Sequence, residues 1–246
     1  MAHFLGVDIG GTVIKSGLYD ERGNEKAVAS LNDTAVAGPV GWSERDMRAM
    51  WKTVCATIQK VIADSGVAAS DIKGVSFSAH GKGLYAVDKD GEPVRSGIIS
   101  SDNRALPIVQ EWKSRNVDKA AYPYAFQQVW AGHPVSILAW LKANEADSYN
   151  RIHRVLMAHD WVRYKLTGEF GAEITNISGS NLYNVDTGAY EPELFKLFGI
   201  DEMQECVAPV IGSTESRSGV SAKAAEETGL VAGTPVFGGF FDVVSA

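Results

Sequence analysis

Cysteine is nearly absent from this chain. Cys55 and Cys206 are the only two among 246 residues, far apart and without metal-ligand spacing. Two isolated thiols exclude a disulfide framework and a cysteine-based zinc site, and they suit a reducing compartment, with the cytoplasm as the default expectation. Long apolar runs are missing too, and no stretch approaches the roughly 20 residues that a membrane-spanning helix needs. The opening MAHFLGVD has neither a basic flank nor a cleavable apolar core, so no secretory leader is expected. Basic residues are in deficit: 23 Lys and Arg stand against 30 Asp and Glu, a net charge of −7. That sign argues against a nucleic-acid groove. There is no GxGxxG, GxxxxGK[ST] or HExxH string, no Ser-His-Asp order and no Cys/His cluster. Dinucleotide-binding, P-loop, zinc-hydrolase and serine-hydrolase readings lose their usual support.

What is present begins at once. A short apolar strand, Phe4 to Val7, ends on Asp8. Gly10, Gly11 and Thr12 follow, and then a second apolar stretch, Val13 to Tyr19, that carries Lys15. Glycines at the turn let backbone N–H groups face an anion, and an acid at a strand end suits a magnesium ion or its water shell. The segment reads either as a hairpin for metal and phosphate or as an ordinary glycine-rich hairpin.

A third strand over Lys26–Leu31 completes an antiparallel start, with the turn Asp20–Asn24 between. Ser43 is the expected cap of a long helix whose apolar positions Met47, Met50, Trp51, Val54, Ile58, Val61 and Ile62 recur at three and four, and Gly66 ends it. Ile72–Ser78 is an apolar strand, and Gly83–Glu92 begins another hairpin. Beyond Arg104, helices are expected over Ala105–Arg115, Pro134–Ala143, His159–Leu166, Pro192–Phe198 and Val220–Thr228. A polar stretch, Thr175–Tyr190, reads as a substrate-side loop, and Pro235–Phe237 as a last strand. The final residues look like the start of a helix, so a further domain is expected beyond residue 246.

Several side chains could carry chemistry, each with a plainer alternative. Asp242 follows GGFF at a strand-to-helix junction, where an acid either reaches a substrate hydroxyl or caps the helix. His80, in SAHGKG, is a pocket group or a satisfied surface residue. Asp102 and Arg104, in SSDNR, either grip a polyhydroxylated ligand or form a surface ion pair. Trp42 and Trp130 stack on a sugar or serve packing.

Taken in order along the chain, VDIGGTVIK, GWSERDM, SAHGKG, SSDNR, HDWVRYKLTGE and GTPVFGGFFD resemble the FGGY carbohydrate kinases. These are relatives of glycerol and xylulose kinases within the actin-like ATPase superfamily. SAHGKGLY, SSDNRA and SNLYNVDTG look most like the L-xylulose kinase branch. Ser101 departs from the family's usual tryptophan before the substrate aspartate.

The resemblance implies an α/β fold: an actin-like, ribonuclease-H-like domain with a mixed five-stranded sheet, helices on both faces and a helical insertion at about residues 104–235. It implies residues 1–237 as the sugar-binding domain and 238–246 as the start of a second one. It further implies ATP and Mg²⁺ as cofactors, a ketopentose such as L-xylulose or xylulose as substrate, and is compatible with a homodimer. Asp242 would be the catalytic base and Asp8 the metal group. Gly10, Gly11, Thr12 and Lys15 would meet phosphate. His80, Lys82, Asp102, Arg104, Trp130 and His133 would contact the sugar. This piece by itself is expected to be inactive. The alternatives are a kinase for ribulose, erythritol or glycerol, or a non-catalytic actin-like module that senses a sugar.

Overall fold

The computed structural model describes residues 1–33 and 35–245. Strands β1 (His3–Ile9), β2 (Val13–Asp20) and β3 (Glu25–Asn32) form the antiparallel start that alternation demands. Leu5, Val7, Ile9, Ile14 and Leu18 point into the core, while Phe4, Lys15 and Tyr19 lie on the opposite, open face. Two short strands, β4 (Ala35–Val36) and β5 (Glu44–Arg45), lead to helix α1 (Met47–Ser65). Its cap is Asp46, not Ser43: the Asp46 side chain accepts from the Arg48 and Ala49 amides. Glu44 and Arg45 are held in strand pairing with β7 (Gly97–Ile98), so the helix cannot begin earlier. Gly66, at φ 65°, stops it in the left-handed conformation that glycine tolerates. A buried hydroxyl pair, Ser16 Oγ to Thr57 Oγ1 at 2.8 Å, fixes α1 to β2.

Strand β6 (Ile72–Ala79) runs parallel to β1 and places Asp8 beside Ser78. On its other edge lie Pro235–Val236 and Phe240–Phe241, both parallel, and outside the first of these Ser218–Gly219. Among the described residues the sheet therefore holds seven strands rather than five. The expected fifth strand is broken in two at Gly238 and Gly239; Gly239 sits at φ 85°, and a Cβ there would come within 2.7 Å of Phe77. The extra edge pair spans only two residues, too few for periodicity to reveal.

The two faces are covered unequally. Helices α1 and α6 (Ala158–Thr167) cover the core face. On the other, the four-residue helix Asp242–Ser245 is fastened by a 2.9 Å bond between the Ser78 and Ser245 hydroxyls. The sheet also continues past residue 237, since Phe240 and Phe241 still pair with Ser78 and Ala79.

A second core carries the helical region. There α2 (Leu106–Ser114), α3 (Val117–Ala125), α4 (Pro134–Asn144) and α5 (Ala146–Asn150) bury Trp112, Ile137, Leu138 and Leu141, together with Phe195 from Pro192–Leu197. Helix α3 is not evident in the sequence because Pro123 stands inside it. The hairpin expected from Gly83 forms in single bridges rather than full strands: the Asp88 amide donates to the Glu92 carbonyl, the Val94 amide to the Ala86 carbonyl, and Val87 pairs antiparallel with Pro93 and also with Arg154.

Candidate active site

Three adjacent strands converge on one end of the sheet. Asp8 faces Lys15 across the hairpin and Ser78 across the parallel pair. Asp242 follows directly on the strand that pairs with Ser78 and Ala79. Burial raises the Asp8 carboxyl above its ordinary value; Lys15 pulls it back, and the negative charge of Asp242 pushes it up again. An acid with a second carboxylate so near it suits a divalent cation. No group of three or more His, Cys, Asp or Glu ligands occurs among the described residues. Two carboxylates with water and phosphate oxygens completing the shell fit magnesium rather than zinc.

The Gly10–Thr12 turn lies beside this pair. The Gly10 amide donates to the Val13 carbonyl at 3.0 Å, and a Cβ on Gly10 would approach that oxygen to 2.7 Å. Gly11 has nothing within 4 Å of its Cβ position, so its backbone is open to a ligand. Thr12 and Lys15 are exposed.

The loop after β6 carries the next group. The His80 amide donates to the Ile9 carbonyl, and its ring Nε2 lies 3.0 Å from the Tyr85 hydroxyl. Burial pushes His80 down to about 4, so the ring is neutral at pH 7. Its Nδ1 is buried without a partner. Lys82 adopts φ 63°, held by its amide donating to Asn176 Oδ1 at 2.8 Å, and its Nζ stands 4.4 Å over the Trp130 ring. His133, 1% exposed, pairs through Nδ1 with Asn181 Oδ1. Burial and the nearby Lys82 charge push His133 down to about 3. A carbonyl oxygen only accepts, so Nδ1 carries the proton and Nε2 offers a lone pair, which no protein group fills.

Asp102 and Arg104 sit differently from what the motif suggested. Asp102 is 1% exposed, and four donors already meet its carboxylate: the Arg104 amide and Nε on Oδ1, the Ser43 amide and Arg104 Nη2 on Oδ2. Arg104 also bonds Glu44 at 2.6 Å and stacks 3.8 Å over Trp42. The pair is neither a surface ion pair nor open to solvent. The neighbouring cavity, about 280 Å³, is lined instead by Ser100, Ser101, Asn103 and Trp130.

The sequence does not single out the residues that join these pieces. Glu173 is fully buried and accepts from the Thr175 amide and hydroxyl, the Asn176 amide and the Ser213 hydroxyl. Burial works against its charge, yet bonds from His159, Ser213 and Thr175 hold it below its ordinary value. It thereby sets helix α7 (Ile174–Ile177), whose Thr175 hydroxyl accepts from the Phe241 amide at 2.9 Å while Asn176 holds Lys82. One short helix thus ties the Asp242 corner to the Lys82 loop. The asparagine-rich run ITNISGSN was the available signal, but it named a loop rather than these residues.

A mixed sheet of this order, with helices packed on it and a glycine turn at one end, has the architecture of an actin-like lobe. A xylulose kinase structure from Rhodospirillum rubrum aligns over 99% of this chain and 49% of its own, with a TM-score of 0.92 and 25% identity. The model of the FGGY family of carbohydrate kinases, N-terminal domain, matches residues 3–246. The chain belongs to that family. It is 44% identical over 245 residues to a probable L-xylulose kinase of Haemophilus influenzae, covering 100% of this chain and 50% of that one. It is 45% identical over 243 residues to an L-xylulose/3-keto-L-gulonate kinase of Escherichia coli, covering 99% and 49%. The chain thus spans about half the length of the curated relatives it matches.

Proposed function

We propose that the complete protein transfers the γ-phosphate of ATP to a primary hydroxyl of a ketopentose, with L-xylulose first among candidates. The observation that carries this reading is the convergence of Asp8, Asp242 and the open Gly11 backbone on one end of the sheet. Asp242 accepts the hydroxyl proton and aims the oxygen, which needs positioning more than a raised pKa. Thr175, through the Phe241 amide, holds that corner in place. Gly10, Gly11, Thr12 and Lys15 meet the phosphates. A magnesium ion at Asp8 would neutralise charge on the transferring group. His80, His133 and Lys82 face the sugar with neutral acceptors and one cation. Asp102 and Arg104 support the sugar wall from behind through Ser43 and Glu44. The residues beyond 246 supply the adenosine side, and the boundary between the halves falls after the Phe240–Phe241 strand. The two free cysteines suit the cytoplasm.

The test is a coupled ADP-release screen of the complete protein across pentuloses, hexuloses and polyols. A strong response to L-xylulose supports the reading. ADP release indifferent to every sugar overturns it in favour of a sugar-sensing module.

A further inference from the structure

His159, in the first turn of α6, is fully buried, and its two ring nitrogens meet different neighbours. Nδ1 lies 3.4 Å from Asn176 Nδ2. Nε2 lies 3.6 Å from both Asp160 Oδ1 and Glu173 Oε2. Asn176 Oδ1 is already taken by the Lys82 amide at 2.8 Å, so it is the NH₂ end of the amide that faces His159. An NH₂ group only donates. Nδ1 is therefore the lone-pair nitrogen, and the proton sits on Nε2, toward the two carboxylates. The bond network thus assigns a neutral imidazole in one tautomer.

A proton on Nδ1 would set two donors against each other. Turning the Asn176 amide over relieves that clash but points NH₂ at the Lys82 N–H, the same conflict one bond further on. Lys82 holds φ 63°, a region that residues with a side chain rarely keep unless a partner enforces it. Without the Asn176 oxygen, the loop that carries His80 and sets the Lys82 ammonium 4.4 Å over Trp130 loses that enforcement. The charges around the ring nonetheless favour the proton. Asp160 and Arg163 face it from its own helix, Glu173 from the segment before α7, and the neutral His80 from the loop after β6. Burial works against an imidazolium, but Asp160 and Glu173 outweigh it and carry the pKa above the ordinary 6.5. The ring is drawn toward a charge that the Asn176–Lys82 bond forbids.

We propose that His159 is a positioning residue for the sugar site: its neutral ring, protonated on Nε2 alone, fixes the Asn176 amide and through it the Lys82 loop, so that a proton taken up on Nδ1 weakens sugar binding. The proposal rests on the kinase reading above, which sets Lys82 against the sugar.

The complete protein is assayed for L-xylulose-dependent ADP release from pH 6 to 9 as wild type, His159→Asn and His159→Leu. Asparagine carries Oδ1 where histidine carries Nδ1, so it keeps the acceptor and has no proton to take up there; leucine keeps bulk and loses the acceptor. In the wild type the sugar KM should rise about fivefold as pH falls through one midpoint above 6.5, the usual worth of one hydrogen bond, while kcat and the ATP KM do not follow that step. His159→Asn should keep the low, alkaline KM at every pH. His159→Leu should show the raised KM at every pH. Parallel pH profiles in wild type and His159→Asn overturn the proposal, as does a His159→Leu variant with the alkaline wild-type KM. Nitrogen NMR of the complete protein carrying ¹⁵N-histidine reads the tautomer without any sugar, the His159 signals being those missing from His159→Asn. An unprotonated Nδ1 at pH 9 is expected, and a protonated one overturns the proposal whatever the sugar does. If L-xylulose draws no ADP while Nδ1 is unprotonated, the kinase reading has failed rather than the tautomer.

Discussion

Asp102 shows how far a motif can be read and where it stops. The spacing of Asp102 and Arg104 identified a carboxylate and a guanidinium able to bond in pairs, but not that they would bond each other. Burial decides that, and burial depends on Trp42 and Trp140, 62 and 36 residues away in opposite directions from Arg104. Replacing Arg104 by methionine should strand the Asp102 charge and cost about 3–5 kcal/mol in urea unfolding. A midpoint equal to the wild type would show that the pair carries no structural weight. The pocket histidines predict a pH response. His133 and His80 are held near 3 and 4, below the 6.5 of an unfolded chain, so the unfolded state binds more protons between those values. The stability they contribute is complete above pH 6.5 and is lost as pH falls toward 4. His133→Gln should flatten the fall in unfolding free energy by about 1.4 kcal/mol per pH unit below 6.5, measured by urea titration at pH 7, 5.5 and 4.5. Parallel curves for wild type and variant would contradict the assignment.

Elements with long periodic patterns were legible, and short ones were not. Helix α1 shows seven apolar positions on one face and a terminal glycine, so its existence, packing side and end follow from the sequence alone. Its first turn does not, because β5 competes for Glu44 and Arg45 through a partner, β7, about fifty residues on. Asp46→Ala should therefore cost about 1 kcal/mol of stability, and Ser43→Ala within about 0.5 kcal/mol, because the bonds of Ser43 to Asp102 and Ile99 run through its backbone amide and carbonyl, which alanine keeps. The reverse order in thermal unfolding would restore Ser43 as the cap. Helix α7 is four residues long and has no periodicity to detect, yet it links both walls of the site. Thr175→Val removes the acceptor for the Phe241 amide while keeping shape. It should lower kcat several-fold in the complete protein with little change in the sugar KM, since it loosens the base rather than the sugar wall. A change confined to KM would place Thr175 among the sugar contacts instead.

For the molecule as a whole, the sheet supplies the logic. One face is packed by α1 and α6, and the other exposes Phe4, Tyr19 and Val28 beside Asp8 and Lys15. The two acids proposed to react sit where strands of opposite origin meet: Asp8 near the start of the chain and Asp242 near residue 246. Local strings single out each of them as a candidate. Their approach, and the coupling of Asp242 to Lys82 through Glu173 and Asn176, arise only when the sheet closes. Residues 1–246 alone should release no ADP in the presence of ATP, magnesium and L-xylulose, because about half the length of the relatives is missing; turnover by this piece would move the nucleotide site into it. The central claim is that Asp242 is the base of a sugar kinase. Its most direct test is the rate of L-xylulose-dependent ADP release by the complete protein against its Asp242→Asn variant, with sugar binding followed by calorimetry on both. The account predicts a fall of about 100-fold or more with the sugar still bound, and a fall of less than about tenfold would contradict it.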